Sequence, residues 1–393
     1  MNHQNSPSGT HNVFDAALRT DFRTFLRKCF SEVNPGGSLS WNWHLDGIGF
    51  PLENVQSGIT KRLIVNIPPR SLKSIYISIA FVAWCLGHNP KLKFICVSYA
   101  QGLADEHGRQ CLQIMSSNWY QRVFPGARLD RKKCSPSHFV TTVGGYRFAT
   151  SIEGALTGMG ADIIILDDPI KADEGQSEAS RTKVNKWYDS TLSTRLNNKN
   201  DGRIILVMQR LHIDDLTAHV LEKETWTHLC LPAIAQTDMW VPISDEERYL
   251  FKAGEALHPA RESLSSLANT KKGMGSYFFS AQYLQEPIAL NGNMVRRSWF
   301  PSYRDEPVKE YGDQIVISWD TASKATELNN YSVGTVWLLK RLAHGNRYYL
   351  LDVARERLEY PDLRRRILTL NERWCPGTVL IEDKASGQSL IPD

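Results

Sequence analysis

The stretch ADIIILDDP, Ala161 to Pro169, sets four apolar residues directly before two aspartates. Such a run reads as a buried strand with Asp167 and Asp168 at its carboxyl end. That end is where ligands bind in open α/β sheets. Two acids after a strand also serve as ordinary caps of the next element. The meaning of the pair therefore depends on what stands upstream.

Upstream stands NIPPRSLKS, Asn66 to Ser74, between the apolar runs RLIV and IYISIAFVAW. The usual phosphate loop is G-x-x-x-x-G-K-[ST], and alignment on Lys73 and Ser74 puts Ile67 and Leu72 in the glycine places. By itself the stretch is equally a proline turn before a helix. As a phosphate loop, Pro69, Arg70, Ser71, Leu72, Lys73 and Ser74 would wrap a nucleotide, because a strand-to-helix turn aims free N–H groups at an anion. The Lys73 ammonium would reach the β/γ-phosphates, Ser74 would bind Mg²⁺, and Arg70 would add a permanently charged phosphate ligand. Asp167 would hold the same Mg²⁺, directly or through water, and Asp168 would polarise the attacking water. Lysine turn and aspartate strand follow in the order that a phosphate-loop ATPase requires, with strand–helix units between them.

From Lys61 to about Leu211 the chain alternates such units: KRLIVNI and a helix to about Leu86, LKFICVSY and a helix from Gln101 to Met115. The hairpin-like HFVTTVGGYRFATS leads to the aspartate strand, and a polar helix near Ser177 to Leu196 precedes GRIILVMQRL. This succession predicts an α/β domain with a largely parallel sheet. Gln209 and Arg210 follow the last of these strands and are expected at the same sheet edge, sensing hydrolysis and coupling it to neighbouring elements. The glycines of SIEGALTGMGAD (Gly154, Gly158, Gly160) suggest a loop near the nucleotide or a substrate backbone.

Beyond Thr225 the pattern turns irregular, and a second β-rich unit starts near Arg296. Its strands QIVISWD, YSVGTVWLL and RYYLLDVARE, a helix near Tyr360 to Trp374 and the strand TVLIED describe the start of a ribonuclease-H-like sheet. Asp320 ends one strand; Glu382 and Asp383 end another, with Lys384 beside them. Carboxylates from neighbouring strands can gather two divalent cations, Mg²⁺ or Mn²⁺, for phosphodiester hydrolysis. Acids at strand ends are also common by chance. The basic stretches RRSWFPSYR and RKK suit DNA phosphates or a plain solvated surface.

The 393-residue chain is 42% hydrophobic and 22% charged, which fits folded globular domains rather than disorder. Its seven cysteines are scattered without zinc spacing, as expected of thiols in a reducing cytoplasm. No apolar run is long enough for a membrane span, and the polar MNHQNSPSGTHN is expected to be a disordered tail. The formal net charge of +4 is too mild to indicate a nucleic-acid partner.

PPRSLKS, TSIEGALTGMGADIIILDDPIKADEG, VMQRLHIDDLTAHVLE, FFSAQYLQEP, SWDTASK and the stretch from LLDVARERLEYPDL to LIEDKASGQSLI together resemble the large terminase subunit of tailed bacteriophages, in its prophage and gene-transfer-agent branch. The resemblance implies a phosphate-loop ATPase domain at 39–224, after a tail and lead-in helix at 1–38. A linker or shielding region at 225–295 and a partial ribonuclease-H-like nuclease at 296–393 would follow. It implies an ATP- and Mg²⁺-dependent motor that drives double-stranded DNA into a procapsid in the host cytoplasm. Its partners would be a small terminase subunit, the portal protein and further copies of itself in a ring. Arg70, Lys73 and Ser74 match the family's variant loop, Asp167 and Asp168 its metal and water pair, Gln209 its coupling segment, and Asp320, Glu382 and Asp383 its nuclease acids. Leu72 departs from a glycine, Asp168 from a glutamate, Glu153 from a glycine, Met159 from an arginine and Asn330 from an aspartate. The chain ends before a third nuclease carboxylate, so a C-terminally truncated copy is expected. The alternatives are a remnant that binds nucleotide without turnover and a helicase-type remodelling ATPase.

Overall fold

The β-branched runs assemble into sheets in a computed structural model of the chain, which describes residues 7–152, 154, 156, 158–288, 300–321, 331–342, 345–356 and 358–381. The chain divides into two compact units, Met1–Met294 and Val295–Asp393.

In the first unit, α1 (Pro7–Thr20), α2 (Phe22–Val33) and α3 (Trp43–Ser57) precede β1 (Arg62–Asn66). A helix that opens with a π-helical segment, Ile75–Phe81, and continues as α4 (Val82–His88) leads to β2 (Lys93–Ser98). Next come α5 (Gln101–Ser116), α6 (Asn118–Val123), β3 (Leu129–Cys134), β4 (His138–Thr141), β5 (Tyr146–Ser151) and β6 (Ile163–Asp167). The unit continues with α7 (Glu178–Trp187), β7 (Arg203–Met208), α8 (Leu216–Leu221) and β8 (Thr227–Cys230). It finishes with β9 (Met239–Pro242), β10 (Arg248–Phe251), α9 (Leu264–Met274) and α10 (Ser276–Gln282).

Eight strands form one mostly parallel sheet in the order β3-β4-β5-β2-β6-β7-β1-β8. From β5 to β8 every pairing is parallel; β3 and β4 add an antiparallel margin. Both faces are covered, which explains why the strands are continuous apolar runs. On β6, Ile163 and Ile165 face the core shared with α2, α4 and α5, while Ile164 and Leu166 face the core shared with α7 and α8. The register levels the strand ends: Asp167 lies opposite Ser98 on one side and Val207 on the other, and Asn66 opposite Met208. Because β7 lies between β1 and β6, Gln209 leaves the sheet between the lysine turn and the aspartate pair.

Two readings of the sequence need correction. The expected disordered tail is helical from Pro7, and the helix that follows buries Phe22, Phe25, Leu26 and Cys29, with Phe22 and Phe25 against Tyr76, Phe81, Trp84 and Tyr120. The stretch read as an irregular linker supplies β8 to the main sheet, an antiparallel β9–β10 pair and a small core around Ala233, Ala256, Leu267 and Phe279. Its strands are only four residues long, too short to leave a period in the sequence.

The second unit holds β11 (Gln314–Asp320), β12 (Ser332–Leu342), β13 (Gly345–Glu356), α11 (Tyr360–Trp374) and β14 (Thr378–Ile381). The order is β13-β12-β11-β14, antiparallel except for the parallel β11–β14 pair, as at the start of a ribonuclease-H-like sheet. Alternate residues Ile315, Ile317 and Trp319 pack with Leu363, Ile367 and Leu370 of α11. Among the described residues no helix is long and apolar enough to cross a membrane.

Candidate active site

Asn66 closes β1 and fixes where the lysine turn begins. Its buried amide donates to the Met208 carbonyl (3.0 Å) and the Thr217 hydroxyl (3.1 Å), and its oxygen meets His228 Nε2 at 2.7 Å. One side chain thus ties β1 to β7, α8 and β8.

The turn that follows has the backbone of a glycine loop without a glycine. Arg70 has φ 61° and Leu72 φ 62°, both left-handed, on either side of Ser71. Alternation of this kind directs successive N–H groups toward one concavity. A left-handed non-glycine residue costs about 1–3 kcal/mol, and such strain gathers at functional sites. Here Arg70, Leu72 and Asp168 (φ 46°) all line the same cavity, which measures about 750 Å³. Lys73, Ser74, Lys171, Gln209 and Arg261 also face it.

Lys73 is buried and its Nζ lies 2.7 Å from Asp168 Oδ2. Burial pushes the Asp168 carboxyl above its ordinary value; the Lys73 ammonium pulls it down, and neighbouring Asp167 raises it again. Asp167 is 2% exposed. Its Oδ2 accepts a bond from the Ser78 hydroxyl (2.7 Å) and lies 3.7 Å from His107 Nδ1, while its Oδ1 is buried without a partner. Burial lowers the His107 pKa, the Asp167 carboxylate opposing, so the ring is neutral near pH 7.

Gln209 and Arg210 part company. Gln209 faces the cavity, and its Oε1 is buried without a partner. Arg210 is instead bonded through Nε to both oxygens of buried Asp215 (3.0 and 2.8 Å), the residue that caps α8. The Arg210 backbone N–H donates to Gln285 Oε1 at 2.9 Å.

Asp167 keeps an orphaned buried oxygen and Ser74 lines the cavity, and a carboxylate and a hydroxyl are donor types that Mg²⁺ uses. This cation needs only one or two protein ligands and completes its shell with water and substrate phosphates. The residues present therefore fit Mg²⁺ with a nucleoside triphosphate. Among the described residues no group of three His, Cys, Asp or Glu side chains stands ready as an all-protein cage.

Asp320 closes β11 and is exposed. Glu382, Asp383 and Lys384 lie outside the described residues, as do Glu153 and Asn330. The last described residue of β14, Ile381, pairs with Trp319, the neighbour of Asp320. Pro69 and Ser74 line the cavity, whereas Ser71 borders a smaller cleft with His44 and His258.

Its structural neighbours are phage large terminases. The large terminase of bacteriophage HK97 aligns over 90% of this chain and 79% of its own, at 10% identity and a TM-score of 0.42. That of a thermophilic bacteriophage, solved with ATP-γ-S, aligns over 87% and 78%, at 10% identity and a TM-score of 0.34. The ATPase domain of a Thermus phage large terminase aligns over 60% of this chain and 93% of its own, at 14% identity and a TM-score of 0.39. No family model and no curated protein matches the chain. Activity must be argued from its own residues.

Sequence reading missed Ser78, His107, Asn66 and Arg261. Ser78 stands four residues after Ser74, one helical turn along the same face, so helical phase alone would have pointed to it. Nothing local marks the other three.

Proposed function

We propose that the chain is an ATP-hydrolysing motor of the large-terminase kind, moving double-stranded DNA into a procapsid. The observation that carries this reading is the Lys73–Asp168 contact at 2.7 Å, in the wall of a cavity that the left-handed loop also lines. Loop N–H groups and Arg70 would hold the phosphates. In the resting site Lys73 and Asp168 neutralise each other; an arriving triphosphate would draw Lys73 Nζ to itself. Asp168 Oδ2 would then be free to orient the attacking water. Ser74 Oγ and Asp167 Oδ1 would hold Mg²⁺, which supplies charge neutralisation of the phosphates when bound. Ser78 would keep Asp167 turned so that Oδ1 faces the metal, and Gln209 would meet the far phosphate.

The proposal extends to the domain plan: a motor domain at 39–224 with its shielding region at 225–295, then a nuclease module at 296–393. In that module Asp320, Glu382 and Asp383 would hold Mg²⁺ or Mn²⁺. The motif resemblance supports the partners named above: DNA, a small subunit, a portal and a ring of identical copies. ATP turnover by the full chain, measured with and without double-stranded DNA, tests the motor. Turnover should require Mg²⁺, stop on chelation and rise with DNA. Turnover indifferent to Mg²⁺, or absence of ATP binding, would overturn it.

A further inference from the structure

Arg261 belongs to none of the motifs of the sequence, yet it faces the same cavity as Arg70, Lys73 and Gln209. It is carried by the segment after β10, in a turn where Arg261 N–H donates to the His258 carbonyl at 3.0 Å. That segment is anchored at several points. Leu257 N–H donates to the Ala233 carbonyl and Ala233 N–H to the Tyr283 carbonyl. Asn42 Nδ2 bonds the Leu257 carbonyl (2.8 Å), Tyr277 bonds Gln176 (2.8 Å), and Gln285 receives the Arg210 N–H (2.9 Å). Gln285 is buried and left-handed at φ 59°, a strained residue spent on that one junction. The base from which Arg261 reaches the cavity is therefore fixed to the strand end that carries Gln209.

Charge gives Arg261 its reason. Within the cavity wall Lys73 pairs with Asp168, and Lys171 stands 3.9 Å from Glu174, which leaves Arg70 and Arg261 against the one further carboxylate of Asp173. Among the described residues neither Arg70 nor Arg261 has a side-chain hydrogen bond or ion pair, and both line the cavity. Two unpaired guanidinium groups facing one space repel each other until an anion enters. A planar fork of donors suits paired phosphate oxygens better than an ammonium does.

We propose that Arg261 is a second phosphate-binding arm of the site, gripping the nucleoside triphosphate from the segment beyond the sheet. This rests on the nucleotide reading above, and the experiment separates the two. Fluorescent ATP with Mg²⁺ is titrated into the full chain carrying no substitution, Arg261→Ala, Arg261→Lys or Lys73→Ala, with melting curves to show that each is folded. Adenosine is the competitor lacking phosphates. Arg261→Ala should weaken ATP binding about 10- to 100-fold, with adenosine competition unchanged and partial recovery in Arg261→Lys. If Arg261→Ala binds like the unsubstituted chain while Lys73→Ala does not, the arm falls and the nucleotide site stands. If ATP and adenosine weaken together, Arg261 does not grip phosphate, and the proposal falls. If the unsubstituted chain binds no ATP, the nucleotide reading itself is wrong.

Discussion

At the end of β6, Asp167 is 2% exposed, takes a hydrogen bond from Ser78 and adjoins the Lys73–Asp168 pair. At the end of β11, Asp320 is exposed and has no side-chain partner among the described residues. Both are aspartates closing an apolar strand; their surroundings differ because their sheets differ. The β6 strand has parallel neighbours on both sides and helices on both faces, so its last residue is buried. The residues of β11 alternate between buried and half-buried, and its last residue reaches solvent. A buried carboxylate is costly unless bonded, so the first site has to arrive with its partners in place. An exposed carboxylate carries no such requirement and can wait for a cation to organise it.

The largest test of this contrast is Lys73→Ala. It removes the only cation bonded to Asp168 among the described residues and the proposed phosphate contact together. ATP turnover at saturating Mg²⁺ and ATP should fall about 100- to 1000-fold, the scale seen when a preorganised charge-stabilising donor is lost. Full turnover in a folded variant would mean that the buried strand end is not the working one.

Ser78→Ala should come next. The buried Asp167 loses its one hydroxyl donor, which should cost about 1–3 kcal/mol in denaturant unfolding and roughly tenfold in turnover. An unchanged unfolding curve would show that the carboxylate needs no local support, which would erase the contrast with Asp320.

Acid should separate the two units. Burial holds His44 neutral, lowering its pKa from 6.5 to about 3, with His258 and Arg261 adding to the effect. Burial also lowers His88, His107, His138, His212, His228 and His258. The unfolded chain takes up these protons near pH 6.5 and the folded one does not until lower pH. The stabilisation is thus complete above 6.5 and is lost as pH falls toward the folded values. The second unit has a single histidine, His344, outside the described residues, against ten in the first. Calorimetry from pH 7.5 to 5 should therefore show the first unit's transition moving down more steeply than the second. His44→Gln should make the first slope shallower; parallel movement of both transitions would refute the account.

The smallest effect is expected from Asp320→Asn. Unfolding free energy should stay within about 0.5 kcal/mol, as for a surface change away from any network. A larger loss in the denaturation midpoint would reveal a partner for this acid and bring the two strand ends closer in kind.

Much of the first sheet could be read directly, because β1, β2, β6 and β7 are apolar runs whose ends carry the lysine turn, Asp167, Asp168 and Gln209. What could not be read depended on approach rather than on pattern. Nothing near His107 says that α5 brings it beside Asp167, and nothing near Arg210 says that Asp215 and Gln285 will hold it away from the cavity. The absent glycine at Leu72 was visible; that the loop takes a glycine's backbone regardless was not, since the supports that enforce it lie in other elements. Met159, where the family resemblance expects an arginine, is half-buried against the second core.

The order of residues along the chain determined which strands exist, which of their ends bear charge, and that a lysine-bearing turn precedes an acidic strand tip. Those are local properties, set by side-chain hydrophobicity and backbone preference over a few neighbouring positions. Only the folded molecule decided that β7 slips between β1 and β6, that the supposed linker sends Arg261 back over the lysine turn, and that one aspartate is enclosed while another meets water. Strand order, burial and charge balance are sums over distant contacts, and no short window of sequence contains those sums.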